Sequence, residues 1–104
     1  MEKFQKSFPS APLAWPSGKT WSLAGVVGSA NLEVLMEPGA AADSAEFDVQ
    51  TSFPGYQDSW LAALSDFSTH YALGGTKVTI HDQGAAPVVI TMRLRQALDQ
   101  LIHP

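Results

Sequence analysis

The chain has 104 residues, of which 45% are hydrophobic and 15% are charged, and its formal net charge is −4. This length suits one domain with a single modest core, and the composition is that of an ordinary globular protein. The sequence contains no cysteine, which excludes disulfides, thiolate metal sites and cysteine catalysis. It has no apolar run of the roughly 18 residues that a membrane helix needs, and it begins without the apolar stretch of a secretory signal. We therefore expect a cytoplasmic protein.

The charges are unevenly distributed along the sequence. Between residues 20 and 76 there is no lysine or arginine, and the carboxylates in this range are Glu33, Glu37, Asp43, Glu46, Asp48, Asp58 and Asp66. Because nucleic-acid binding requires basic side chains that displace counterions, DNA or RNA binding is not expected. Two interpretations of the acidic segment remain open: a solvated surface that favours solubility, or a surface that attracts basic protein partners.

The first residues differ in composition from the rest. Residues 1–18 contain three prolines and scattered aromatic side chains. Proline lacks a backbone donor and fixes φ, so a regular helix is not expected here. We predict an extended, proline-containing N-terminal arm at residues 1–18, which packs on the domain or on a partner, and a single domain at residues 19–104.

The first half of this domain shows the patterns of strands. Residues 21–27 are apolar, and residues 32–36 alternate between apolar and polar with period two. These two runs, separated by the short connection 28–31, predict a β-hairpin. Alternation over residues 45–50 predicts a third strand with one wet face, as in an antiparallel sheet covered on one side.

A first helix of about four to five turns is predicted after Pro54, because apolar side chains recur there at three- and four-residue intervals. This stripe consists of Tyr56, Trp60, Leu64, Phe67 and Tyr71. We interpret it as the core-facing side of the helix, with a ligand groove as the alternative. Gly74 and Gly75 are predicted to end the helix, and residues 77–81 form a fourth strand.

The last segment has two interpretations. Pro87 suits the first turn of a helix, and Ile90, Leu94 and Leu98 share one face, which predicts a helix over about residues 87–102. Residues 88–91 are largely β-branched and suit a strand equally well. With the helix preferred, the predicted fold is α+β: a two-layer structure with a mainly antiparallel sheet of about four strands and two helices packed on one face.

The sequence around Ser29 resembles that of a known family. The run Leu23-Ala24-Gly25-Val26-Val27-Gly28-Ser29-Ala30-Asn31-Leu32-Glu33-Val34-Leu35 is similar to the signature of the malonate decarboxylase acyl-carrier (delta) subunits, a family that more distantly includes the acyl-carrier chain of citrate lyase. The order of elements over about residues 20–102 also agrees, including the helix around Trp60 and the loop 82–87. The family often has Gly-Asp after the serine, whereas this chain has Ala30-Asn31 and so lacks one acidic charge beside the site.

The resemblance implies an acyl-carrier subunit of malonate decarboxylase that catalyses no reaction itself and binds no metal. It implies that Ser29 is joined through a phosphodiester to 2′-(5″-phosphoribosyl)-3′-dephospho-coenzyme A, a phosphopantetheine-type prosthetic group whose terminal thiol carries acetyl and malonyl groups. The implied partners are the acyl-transferase and decarboxylase subunits, malonyl transferase, and the prosthetic-group transferase (holo-carrier synthase) that installs the arm.

The residues themselves are compatible with this role. The tip of a hairpin presents a hydroxyl group where an enzyme can reach it, and the flanking Gly28 and Ala30 add little bulk. The alternative is that Ser29 is only a turn residue. In that case the chain would be an interaction or scaffold subunit without covalent modification; the acyl-carrier chain of citrate lyase is a further, lower-ranked alternative.

A small serine hydrolase is a hypothesis from another class, in which His81 and Asp82 would serve Ser29 as base and orienting group. The residues around Ser29 lack the nucleophile elbow followed by a helix. We therefore interpret His81 as a solvent-facing strand residue and Asp82 as a turn residue. Arg93 and Arg95 are interpreted as exposed helix charges unless they lie near Ser29.

A zinc site is not expected, because the chain has no cysteine and no paired-histidine motif. Its histidines are dispersed over the sequence: His70, His81 and His103.

Overall fold

The computed structural model describes residues 2–13, 22–24, 32–39, 41–52, 55–83 and 87–102. Within them the elements are, in chain order, β1 Glu2–Pro9, β2 Ser22–Ala24, β3 Leu32–Pro38, β4 Ser44–Thr51, α1 Gln57–His70, β5 Thr76–Asp82 and α2 Pro87–Ile102. The predicted α+β class is confirmed. No helix in the described part of the chain has the length and apolar character needed to cross a membrane.

The strands form one sheet in the order β1-β4-β5-β3-β2. Neighbouring strands are antiparallel except β4 and β5, which are parallel. Parallel strands require a crossover connection, and α1 supplies it. The prediction of a mainly antiparallel sheet is confirmed. The described residues form five strands rather than the expected four or so, because the N-terminal segment contributes β1.

β1 lies within the segment predicted as an extended N-terminal arm. All of its residues pair with β4. Phe4 and Phe8 pack against the core, and the Phe8 ring meets Phe47 edge-on with centroids 5.9 Å apart. Pro9 is compatible with this position because it ends an edge strand. Residues 14–21 lie outside the described residues, so the boundary between arm and domain stays a prediction.

The hydrophobic core lies between one face of the sheet and both helices. Along β3, β4 and β5, buried side chains alternate with accessible ones, as the period-two pattern requires. The buried hydrophobic residues come from these strands, the helices and the loop after α1: Leu32, Val34, Met36, Ala45, Phe47, Val49, Trp60, Leu64, Phe67, Leu73, Val78, Ile80, Ile90, Leu94, Ala97 and Leu98. The predicted packing of two helices on a single face is thus confirmed.

The first helix differs from its prediction at both ends. Tyr56 precedes the first helical residue and is 59% exposed, so its assignment to the apolar stripe was wrong. Trp60, Leu64 and Phe67 are buried, which confirms that the stripe faces the core. The helix ends at His70, before the glycine pair that was predicted to end it.

The second helix settles the ambiguity in the last segment. α2 begins at Pro87, so the alternative of a strand at residues 88–91 was wrong. Ile90, Leu94 and Leu98 are each at most 5% exposed. This helical spacing buries all three against the sheet, and the helix therefore overrides the strand propensity of the β-branched run.

Ser10 joins the chain after β1 to the end of α1. Its side chain is buried, and its Oγ lies 2.8 Å from the carbonyl oxygen of Ser68 and 3.0 Å from that of Tyr71. The same Oγ accepts a hydrogen bond from the Leu73 N–H at 2.9 Å. The last carbonyl groups of a helix lack intrahelical donors, so Ser10 stabilises this helix end.

The chain after Ser10 leaves no room for a side chain at Gly74. The Gly74 N–H donates to the Ala11 carbonyl at 2.8 Å, and the Leu13 N–H donates to the Gly74 carbonyl at 3.0 Å. A Cβ atom at Gly74 would lie 2.7 Å from the Ser10 carbonyl oxygen and would overlap that of Ala42. Glycine is therefore required here for close packing of backbones.

We expect Ser10→Ala to lower the free energy of unfolding by about 1–3 kcal/mol, because it leaves the buried Leu73 N–H without its acceptor. Urea denaturation monitored by tryptophan fluorescence measures this change. Ser7→Ala, which alters an exposed serine of β1 three residues earlier in the chain, is the matched control and should stay within about 0.5 kcal/mol of the wild type. Equal stabilities of the two variants would contradict the role given to Ser10.

Candidate functional site

The two strands of the predicted hairpin, β2 and β3, are antiparallel neighbours. Their described pairs are Ser22 with Met36, Leu23 with Leu35, and Ala24 with Val34. In every pair the two residue numbers average to 29, so the pairing register of the two strands is centred on Ser29 in sequence. Gly28, Ser29 and Ala30, with the rest of residues 25–31, lie outside the described residues. The flanking strands of the hairpin are therefore confirmed, and the roles of these three residues stay predictions.

The connection leaves the sheet where β4 and β5 end. Leu32 lies opposite Asp82, Asp82 opposite Thr51, and Thr51 opposite Glu2, so that these four residues form one row across the sheet. α1 follows β4 and α2 follows β5 after short connections, and both helices therefore begin at this end. Because helix N-termini carry a partial positive charge, this end favours negatively charged groups.

A buried hydrogen bond joins the ends of β4 and β5. The Thr51 Oγ1 donates to Asp82 Oδ2 at 2.7 Å, and the two residues are 0% and 4% exposed. The Ser52 N–H also donates to the Asp82 carbonyl at 3.0 Å. Asp82 is therefore the last residue of a strand and faces the core, and its assignment to a turn was wrong. These bonds fix the strand ends beside the first residue of β3.

The structure argues against the histidine–aspartate pair of the hydrolase hypothesis. His81 and Asp82 are consecutive strand residues, and consecutive side chains point to opposite faces of a sheet. His81 is exposed, as predicted, whereas Asp82 is buried on the helix side. The Asp82 carboxyl group therefore cannot orient the His81 ring.

The bond between Thr51 and Asp82 was not predicted, although the sequence contains a signal for it. Thr51 continues the period-two series of buried residues in β4, and Asp82 continues the series in β5. The next member of each series, two residues further along the strand, is Thr51 in β4 and Asp82 in β5. The same repeat therefore places both polar side chains on the core face. Their polarity argued against burial, because burying a polar group costs free energy. A hydrogen bond between the two side chains offsets this cost.

The histidines do not form a metal site within the described part of the chain. No group of three or more potential metal ligands occurs there. His70 is exposed on α1, and its Nδ1 lies 3.3 Å from Asp66 Oδ1. His103 lies outside the described residues.

The two arginines of α2 precede and follow the buried Leu94 in sequence. Arg93 is half-buried, so its interpretation as an exposed residue was wrong, and its Nη1 donates to Gln96 Oε1 at 2.6 Å. Arg95 is exposed, as predicted. Their proximity to Ser29 stays a prediction, since Ser29 is outside the described residues.

Comparisons with known proteins point to one family. Residues 19–101 match the family described as "ACP: Malonate decarboxylase delta subunit (MdcD)". The chain is 39% identical over 98 residues to a malonate decarboxylase acyl carrier protein of Acinetobacter calcoaceticus, with 94% of each chain covered. It is 47% identical over 75 residues to one of Burkholderia cepacia, covering 72% of this chain and 68% of that relative.

A solved structure agrees with these relatives. The chain is similar to a chain in the crystal structure of a Pseudomonas malonate decarboxylase hetero-tetramer in complex with malonate, with a TM-score of 0.80 and 32% sequence identity. The match covers 97% of this chain and 99% of that chain.

We expect Thr51→Val to lower the free energy of unfolding by about 1–3 kcal/mol, because it removes a donor from the buried Asp82 carboxyl group without changing the shape of the side chain. Thr79→Val, at a half-buried position of β5 on the other face, is the matched control and should change stability by less than about 0.5 kcal/mol. Urea denaturation measures both. The importance of this bond would be refuted by a Thr51→Val chain as stable as the control.

Proposed function

The chain belongs to the family of malonate decarboxylase acyl-carrier (delta) subunits, and on this premise we propose that it is a non-catalytic carrier whose Ser29 holds a covalent prosthetic arm. The register of the hairpin is the observation that carries the proposal. The paired positions of β2 and β3 are symmetric in sequence about Ser29. A hydroxyl group at this centre of the pairing suits attachment by an external enzyme.

The proposed arm is 2′-(5″-phosphoribosyl)-3′-dephospho-coenzyme A, held by the Ser29 Oγ through a phosphodiester. When bound, it supplies a terminal thiol that holds acetyl or malonyl groups as thioesters. The surroundings fit a phosphate-bearing group, since both helices begin at this end of the sheet; the first turn of α2 contains no acidic residue, whereas that of α1 contains Asp58. Gly28 and Ala30 flank the serine in sequence with minimal side chains.

The role of the remaining chain is to provide a firm base for the attachment point. β3 is an interior strand that pairs with β2 on one side and with β5 on the other. Its side chains Leu32, Val34 and Met36 are at most 2% exposed. A tether on such a base raises the effective concentration of the carried group at each partner's active site.

The serine needs no activation by its own chain, because the enzyme that installs the arm can supply the base. This division of labour agrees with the separation of His81 from Asp82 on opposite faces of the sheet. We therefore propose that the chain binds and presents the acyl group, while partner subunits catalyse its transfer and decarboxylation.

The proposed partners are the acyl-transferase and decarboxylase subunits of malonate decarboxylase, malonyl transferase, and the prosthetic-group transferase. The assembly with decarboxylase subunits is supported by the similar chain in the Pseudomonas hetero-tetramer. We propose the cytoplasm as the place where this complex acts.

The proposal predicts that the chain, produced together with the prosthetic-group transferase and its donor substrate, gains the mass of one arm. Because the chain contains no cysteine, the arm would also supply its only thiol, so thiol titration should give one thiol per chain. Ser29→Ala should abolish both signals. Intact mass spectrometry and titration with a thiol reagent measure them.

Ser52→Ala is the matched control, because Ser52 is an exposed serine at the same end of the sheet. This variant should keep the added mass and the thiol. An unmodified wild-type chain in the presence of active transferase, or an adduct that persists in Ser29→Ala, would rule out the proposed attachment.

A further inference from the structure

The open face of the sheet is the face that points away from the helices. Its positions on β3, β4 and β5 are half-buried or exposed, and none of the described helices covers it. The described charged residues of this face, apart from His81, are Glu33, Glu37, Glu46, Asp48, Lys3 and Lys77. Among these described residues, carboxylates outnumber lysines two to one.

The position of the lysines leaves the side of the open face near Ser29 acidic. Lys77 lies between Glu37 and Glu46 in register, at the far end of the strands. Lys3 lies in the same row of the sheet as Glu33, but on the edge strand β1, three strands away from β3. Glu33 is thereby separated from both cations, and its neighbour in register on β5 is the exposed His81.

Glu33 is also close to the proposed attachment point through the chain itself. Only three residues lie between it and Ser29, so their Cα atoms are at most about 14 Å apart. A protein interface of standard size covers about 800 Å² on each partner, which corresponds to a patch of about 16 Å radius. An enzyme that docks around Ser29 therefore has the Glu33 end of the open face within its reach.

We propose that the open face is the docking surface for the prosthetic-group transferase, and that the transferase meets it with lysine or arginine residues around its active-site entrance. This inference rests on the proposed function. Partners that act on the carried acyl group meet it at the end of the arm, wherever on the chain they bind, whereas the transferase must contact the Ser29 hydroxyl itself. Its donor substrate carries phosphate groups, which proteins bind with cationic side chains, so its charge complements the open face.

A solvated surface that only favours solubility is the competing explanation of the same carboxylates. The two explanations differ in whether position matters. If the carboxylates act only through net charge, removing them from any side of the molecule has the same effect. If the open face contacts the transferase, the effect is confined to that face.

The test compares two variants of the full-length chain that lose the same charge. The open-face variant combines Glu33→Gln, Glu37→Gln and Asp48→Asn. The control combines Asp43→Asn, Asp66→Asn and Asp99→Asn, three exposed positions in the β3–β4 connection and on the two helices. The rate at which each chain gains the arm is followed by intact mass, with purified transferase from the same organism, at about 50 mM and about 500 mM salt.

We expect kcat/KM of the open-face variant to fall about 10-fold at low salt with kcat unchanged, because lost charge complementarity slows association. At high salt the difference from the wild type should shrink to less than about twofold, since screening removes the same attraction from the wild type. The control should match the wild type at both salt concentrations, and Glu33→Asp should retain the wild-type rate.

Equal losses in the two triple variants, or no loss in either, would overturn the docking surface while leaving the proposed function in place. A wild-type chain that gains no arm would overturn the proposed function first, and the docking surface with it. Equal urea midpoints of the two triple variants exclude unfolding as the cause of a difference.

Discussion

The register of β3 between its two neighbours is the constraint on which the rest of the structure depends. It is fixed by burial, because Leu32, Val34 and Met36 all face the helices and are at most 2% exposed. A shift of one residue would turn these side chains to solvent and bring Glu33 into the core. Full burial of such a side chain is worth about 1.5–3 kcal/mol, so the shifted register would be less stable by several kcal/mol. Only the observed register centres the pairing of β2 with β3 on Ser29.

The same alternation divides the work between the two faces of the sheet. The helix-side face holds the core and, at its end, the bond between Thr51 and Asp82 that keeps β4 and β5 aligned beside the start of β3. The open face is free of this packing role and can carry charge at little cost in stability. A strand such as β3 thereby contributes to stability through one set of side chains and to recognition through the other.

Period-two and helical patterns allowed β3, β4 and both helices to be predicted, because in each of them burial follows the local repeat. β1 was not recognised as a strand, since its two core-facing phenylalanines, Phe4 and Phe8, are four residues apart with Lys6 between them. The parallel pairing of β4 with β5 depends on contacts between distant segments, which no local pattern records. The buried Asp82 was missed because its partner Thr51 lies in another strand. Ser29 itself was identified by resemblance, since Gly-Ser in a turn has many causes.

The lack of cysteine affects how long a carrier could hold an acyl group as a thioester. Among side chains near neutral pH the cysteine thiolate is an especially strong nucleophile, and it would compete for an acyl group held as a thioester on a mobile arm. This chain contains no such group in its full sequence. Its one histidine–aspartate pair that is adjacent in sequence is divided between the two faces of the sheet, so Asp82 cannot orient the His81 ring as in a catalytic triad. A carrier must hold a reactive group without consuming it, and a sequence without cysteine has one strong nucleophile fewer that could attack a thioester.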